Sequence, residues 1–315
     1  MMTQMANSIS VPNSPSSHPS PLGGVVQHYC WTYQNQVVKI AYEILGEGET
    51  ILLLPAFSTV STRAELAQIA EILAPHFRVI ALDWLGFGDS ERPAFQYGRS
   101  LYQQLLKDFV QTCCPQPAGI LAAGHAAGYA LHFVQSSPTS CDKLLLVAPT
   151  WKGPLRAMGA PDWLRSSLRN LVRSPILGQA LYGLNTKPNF LKWMYKRHVF
   201  VDETLLSPSF LTQRHRITQQ VGARFAPAAF VTGALDPMTN REQWLQITSD
   251  VVNSPVLSHS VKIISAEKAP PQSTAEMMAL SALPQIHSDS LPGSLGVYEE
   301  YGAEVGAIAL SFFNG

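Results

Sequence analysis

The chain has 315 residues, 46% of them hydrophobic, and its 22 basic side chains balance 22 acidic ones, so it can bury a full core and carries no net charge that would draw it to nucleic acid. No apolar run approaches the ~20 residues that span a bilayer. The four cysteines (Cys30, Cys113, Cys114, Cys141) have no metal-ligand spacing, and two of them are adjacent, so neither a metal site nor a secreted disulfide framework is expected.

In chain order, residues 1–24 are rich in Ser, Pro and Asn and contain no apolar run, which predicts a disordered tail that cannot repay its ordering entropy. The tail lacks the basic start and apolar centre of a secretory signal, and it lacks arginine. A cytoplasmic location follows, peripheral to a membrane at most, with a plastid left open. "YCWTYQ" and "VVKIAYEIL" flank a short polar turn and read as an antiparallel pair. "TILLLPA" (Thr50 to Ala56), "RVIALD" (Arg78 to Asp83) and "GILAAG" (Gly119 to Gly124) are continuous apolar runs, which suit parallel strands covered on both faces. Between them, Leu66, Ile69, Ala70 and Leu73, and then Leu101, Leu105 and Phe109, recur at helical spacing.

"KLLLVAP" (Lys143 to Pro149) is a sixth strand. Residues 151–250 then turn helix-periodic and proline-interrupted, predicting a helical cap inserted between a first core part, 25–150, and a second, 251–315. The second part offers "SVKIISAE" (Ser260 to Glu267), a helix opened by a capping box from Ser273 to Glu276, a weak strand "IHSDSL", and a last helix with Val305, Ile308, Ala309 and Phe312 on one face. Eight strands alternating with helices make a doubly wound α/β protein.

This order resembles the α/β-hydrolase fold, an eight-stranded, mostly parallel sheet with helices on both faces and a helical cap after strand six. "DWLGFGDSERP" (Asp83 to Pro93) is similar to that family's segment after strand four, and "CWTYQNQVVKIAYEILGEG" to the opening hairpin of its cyanobacterial and chloroplast members. The family carries Gly-x-Ser-x-Gly on a strained turn after strand five. Here that stretch is Gly124-His125-Ala126-Ala127-Gly128, so the resemblance implies Ala126 in the nucleophile's place, and a methyl group cannot attack a carbonyl. Aligning the last helix puts Leu295 in the place of the histidine base and Ala269 in that of the acid. A rival register takes "FVTGALDP" as the acid loop, with Asp236 as acid and Lys268 where the histidine belongs. Neither register contains a nucleophile or a histidine base.

The family's oxyanion donors are backbone N–H groups, here those of Phe57 and Ala127, but Pro55 and Ala56 replace its usual His-Gly. Ser58 has no histidine with a readable reason to lie beside it, and His125 precedes the nucleophile's place, where a side chain points away from the pocket. The expectation is a hydrolase-like protein that has lost serine-hydrolase activity. It would bind an apolar or amphipathic small molecule under the cap, around Phe57, Ser58, Ala126, Ala127 and Leu295, or act as a scaffold, without metal or cofactor. The alternatives are an enzyme (lyase, isomerase or hydrolase) that uses the same pocket differently, and a pure protein-interaction module.

Charge is unevenly spread. Residues 151–225 hold twelve Lys/Arg and three acidic residues, a net of +9 in a neutral chain. Arg165, Arg169 and Arg173 recur every four residues, and "KWMYKR" (Lys192 to Arg197) sets aromatics among cations. Either this is a solvated basic face, or it meets an acidic membrane surface, anionic ligand or acidic protein.

Overall fold

The computed structural model describes residues 20–139, 141–254 and 260–315. The expectation of a disordered tail falls mainly on residues outside these. Its last five residues are described, and they pack on the sheet: Leu22 is buried, and the Leu22 and Gly24 N–H groups donate to the Glu43 carboxylate at 3.0 and 2.9 Å.

Strands β1 (Val25–Tyr33) and β2 (Gln36–Leu45) form the expected hairpin. Their turn is Gln34-Asn35, both at positive φ (48° and 62°), the two-residue turn whose twist matches the strands it joins. The sheet continues with β3 (Thr50–Leu54), β4 (Arg78–Leu82), β5 (Gly119–Ala123), β6 (Lys143–Val147), β7 (Ser260–Ala266) and β8 (His287–Leu291). The spatial order is β1-β2-β4-β3-β5-β6-β7-β8, with the β1–β2 and β2–β4 pairs antiparallel and the remaining pairs parallel. Continuous apolar runs are explained by cover on both faces: in β3, Leu52 and Leu54 enter one hydrophobic cluster, and Ile51 and Leu53 enter the other.

Helix α1 (Ala67–Leu73) lies on the second face with the last helix of the chain, while α2 (Arg99–Cys113) and α3 (Ala126–Ser136) cover the first. After β6 come α4 (Pro154–Ala157), α5 (Asp162–Arg173), α6 (Leu177–Leu184), α7 (Pro188–His198), α8 (Pro208–Thr218) and α9 (Phe225–Val231), and the expected cap is helical. It is shorter than 151–250, however. Helix α10 (Arg241–Val252) packs against α3, with Trp244 fully buried in the first cluster, and so belongs to the core.

Helix α11 (Pro271–Ser281) opens two residues before the expected capping box. Proline at the first helical position has no N–H to leave unsatisfied and presets φ, so Ser273 falls inside the helix. The chain ends in α12 (Val297–Glu300) and α13 (Gly302–Asn314), the latter against α1. No described helix is long and apolar enough to cross a membrane.

Buried ion clusters, which sequence periodicity does not reveal, tie these layers together. Arg63 lies in a 3-10 turn before α1, almost wholly buried, and pairs with Glu43 of β2 (3.0 Å), with Asp83 and with Asp89 (3.0 Å). The same Asp83 accepts the Arg63 and Asp89 N–H groups at 2.6 and 2.8 Å, and Ser90 donates to the Asp83 carbonyl at 2.7 Å. Gly88 takes φ +51°, and a β-carbon there would run into the Asp83 carboxylate. The Asp-x-x-Gly-x-Gly-x-Ser segment is thus a folded knot around one buried carboxylate. A second cluster joins cap to core: Arg214 of α8 meets Glu65 at 3.5 Å and pairs with Glu299 of α12.

The evenly spaced arginines of α5 also face inward. Arg165 donates to the Thr232 carbonyl (3.0 Å) and Arg173 to that of Phe95 (2.7 Å), while Arg169 reaches the Thr232 hydroxyl at 3.4 Å. They are fasteners between α5 and its neighbours, because a guanidinium can satisfy orphan carbonyls at loop ends.

Candidate active site

The parallel strands end together on one edge of the sheet, where α/β proteins place their ligand sites. At the end of β5 the chain must reverse sharply into α3. The residue that takes the left-handed conformation is Gly124, at φ +53°. Its N–H donates to Val147 O (2.9 Å), its carbonyl accepts from Thr150 N (3.2 Å) and from Ala127 N (3.2 Å), and the helix begins there. Glycine adopts this conformation without the penalty a β-carbon brings.

Ala126, expected at the pivot, is instead the first residue of α3 and fully buried, as is Ala127. Gly124 and Gly128 flank this stretch in the sequence, and the backbone turns at the first of them. A β-carbon on Gly124 would meet the Ala56 methyl at 3.0 Å and the Thr150 hydroxyl at 3.9 Å. The methyl of Ala56 therefore crowds the space a side chain at 124 would need.

The eight expected strands form. Ala269 lies in the loop after β7, 9% exposed, and Leu295 lies half-buried in the loop after β8. The loops are joined where Glu267 and Lys268 donate their N–H groups to Leu291 O (3.0 Å) and Gly293 O (2.9 Å). Asp236 follows helix α9 rather than a strand, and Lys268 is exposed in the β7–α11 loop while Asp236 pairs elsewhere.

Phe57 is 4% exposed and faces the core, stacked on Trp84 at 4.9 Å and edge-on to Tyr102 at 5.0 Å. The Ser58 hydroxyl accepts from Val60 N at 3.1 Å. Of the residues expected to line a ligand site, Ser58 and Leu295 are half-buried, while Phe57, Ala126 and Ala127 are already packed.

Beside these packed residues, the structure brings together polar groups that the sequence does not connect. His125 is 3% exposed and its Nδ1 lies 2.8 Å from the Thr150 hydroxyl. Its Nε2 lies 3.5 Å from Asp236 Oδ1, beyond hydrogen-bond range, and its ring meets Phe230 edge-on at 5.0 Å. Asp236 accepts from Gly153 N (2.7 Å) and from Arg156 (2.9 Å), so its charge is compensated where it is buried. The "Gly-x-x-Asp" pattern singled out Asp236 as a rival acid, but nothing in the sequence pointed to Thr150 or Arg156. Among the described residues no group of three or more His, Cys, Asp and Glu is placed to hold a metal ion.

Comparison with known proteins agrees with this architecture. Residues 51–293 match the family described as the alpha/beta hydrolase family. An uncharacterised protein of Mycobacterium tuberculosis is 31% identical over 108 residues, which are 34% of this chain and 31% of that protein. The 2-hydroxy-6-oxo-6-(2'-aminophenyl)hexa-2,4-dienoic acid hydrolase of Metapseudomonas resinovorans is 31% identical over 75 residues, 24% of this chain and 26% of that enzyme. The matches thus span less than a third of these relatives' lengths. Among solved structures, a mutant haloalkane dehalogenase DatA from Agrobacterium tumefaciens superposes with TM-score 0.70 at 15% identity, over 95% of this chain and 100% of that one. Cfl2 from Burkholderia cenocepacia does so with TM-score 0.68 at 20% identity, over the same shares. At such identities the likeness is one of fold.

Proposed function

The chain belongs to the α/β hydrolase family, and from that premise we propose that it has given up the family's serine hydrolysis and works by binding. The carrying observation is that the ends of β5, β7 and β8, where such an enzyme keeps nucleophile, acid and base, hold Gly124, Ala269 and Leu295. A hydrogen, a methyl and an isobutyl group neither attack a carbonyl nor move a proton. The Ala56 methyl against Gly124 supports the same reading, since it occupies room a nucleophile would need.

The packed state of Phe57, Ala126 and Ala127, with the His125–Thr150–Asp236–Arg156 cluster beside them, favours a scaffold over an apolar ligand seated on those residues. The test is a fluorophosphonate probe with peptide mapping. No labelled residue is expected, and a labelled serine would overturn the proposal.

One observation favours a second reading, an enzyme with different machinery. Thr150, His125 and Asp236 lie in the order hydroxyl, imidazole, carboxylate. In such a line the hydroxyl would attack a carbonyl as the imidazole takes its proton. Labelling at Thr150 that disappears in Thr150→Val would establish it, whereas a purely structural cluster predicts no labelling and a cap that loosens in that variant.

A further inference from the structure

The outward face of the cap remains to be explained. Helix α7 buries Leu191 and Tyr195, and turns Asn189, Lys192, Trp193, Lys196 and Arg197 outward, spaced three and four residues apart as one helical stripe. These five line a concavity of about 520 Å³. Trp193 is 51% exposed, with Arg197 over its ring at 5.7 Å and Phe190 beside it at 5.6 Å. Lys196 pairs with Glu203 at 2.7 Å, while Lys187, Lys192 and Arg197 stand exposed, and no ion pair joins them to the described carboxylates. Just upstream, Ile176 and Leu177 on the approach to α6 are 82% and 66% exposed.

We propose that this face docks reversibly on an anionic lipid bilayer, with α7 lying in the headgroup layer. Charge complementarity decides the occupant. Exposed cations attract acidic headgroups, and a tryptophan flanked by cations suits the interface, its ring among glycerol backbones and its N–H in water. The arginines of α5 do not take part, because their guanidinium groups face carbonyls and a hydroxyl within the protein. The attachment is independent of the fate of the catalytic residues, so vesicle binding and probe labelling fail or succeed separately.

The experiment sediments the full chain with phosphatidylcholine vesicles made with and without phosphatidylglycerol. Binding is expected only to the anionic vesicles, weakening with salt as the Debye length falls from about 10 Å at 0.1 M to about 3 Å at 1 M. Lys192→Gln with Arg197→Gln should weaken it about twenty-five-fold, at about five-fold per cation. Trp193→Ala should remove the part that persists in salt. Arg169→Gln, on the inward face of α5, should leave binding unchanged, and circular dichroism confirms that each variant folds. Equal binding to both vesicle types, binding to neither, capture by a soluble acidic peptide without vesicle binding, or a loss in Arg169→Gln equal to that in the α7 double variant would each overturn the proposal.

Discussion

At Gly124 a single dihedral angle decides what the turn after β5 can do. Its φ of +53° is open to glycine and strained for other residues, and the Ala56 methyl stands 3.0 Å from where a β-carbon would be. Gly124→Ser is therefore expected to destabilise the protein by about 1–3 kcal/mol and to yield no esterase activity, since a serine without a base keeps its proton. Adding Ala56→Gly should recover part of that stability by clearing the contact. Activity above background on a nitrophenyl ester is expected only when Leu295→His and Ala269→Asp are added as well. If Ala126→Ser in the same background proved more active than Gly124→Ser, the pivot would have been placed wrongly. The cysteines make a second check at this scale. Burial pushes the Cys113 thiol up to about 11 and the Cys114 thiol up to about 12, whereas Cys30 is exposed. A disulfide reagent at neutral pH should modify Cys30 first, and fast modification of Cys114 would contradict its packing, because the reactive form is the thiolate.

Among the elements, the opening hairpin, the 3-10 turn and the loop after β4 are held by one arginine. Arg63 compensates Glu43 and Asp83, both essentially without solvent. Removing it leaves two buried carboxylates unpaired, and Arg63→Ala is expected to cost about 3–5 kcal/mol, read as a fall in the urea midpoint. Arg63→Lys should recover little of this, because one ammonium cannot replace a planar fork that meets Glu43 through Nε and Asp83 and Asp89 through Nη1. Recovery to the parent midpoint would show that charge alone, and not the fork, holds these elements. The hairpin and its partners were legible from β-branched and aromatic runs. The knot around Asp83 was legible only as a family-like motif, since its reason lies in contacts twenty or more residues apart in sequence.

For the whole molecule, the tether between cap and core is titratable. Burial raises the Glu65 carboxyl well above the ordinary glutamate value, and burial raises Glu299 too, with Arg214 pulling both back only in part and Tyr195 and Tyr298 packed around the group. The folded state thus holds protons that the unfolded state releases. The contribution of these groups is fullest below the ordinary glutamate range and is lost as pH rises from there towards their folded values. Denaturant midpoints measured at increasing pH should show this decline, and Glu65→Gln should flatten it. A steeper decline in Glu65→Gln would mean that Glu65 is held as an anion. The loss should appear first as cap loosening, detectable by limited proteolysis near α8, because the tether is the contact that joins Arg214 to the core.

The sequence by itself determined the secondary-structure order, the eight strands and the insertion of a helical cap after the sixth. Those properties are local or combinatorial: apolar runs, helical spacing and the presence or absence of a side chain type can be read without knowing what touches what. Only the tertiary structure decided that Gly124 rather than Ala126 is the pivot, since the pattern Gly-x-Ala-x-Gly does not say which residue the sheet forces to reverse. It alone decided that α10 belongs to the core, because the buried face of a helix is defined by its neighbour. It alone brought His125, Asp236 and the stretch holding Thr150 and Arg156 together from three separate segments. It also separated inward fasteners among the cap cations from an outward stripe on α7, a division that depends on which carbonyls and carboxylates lie within reach after the chain has folded.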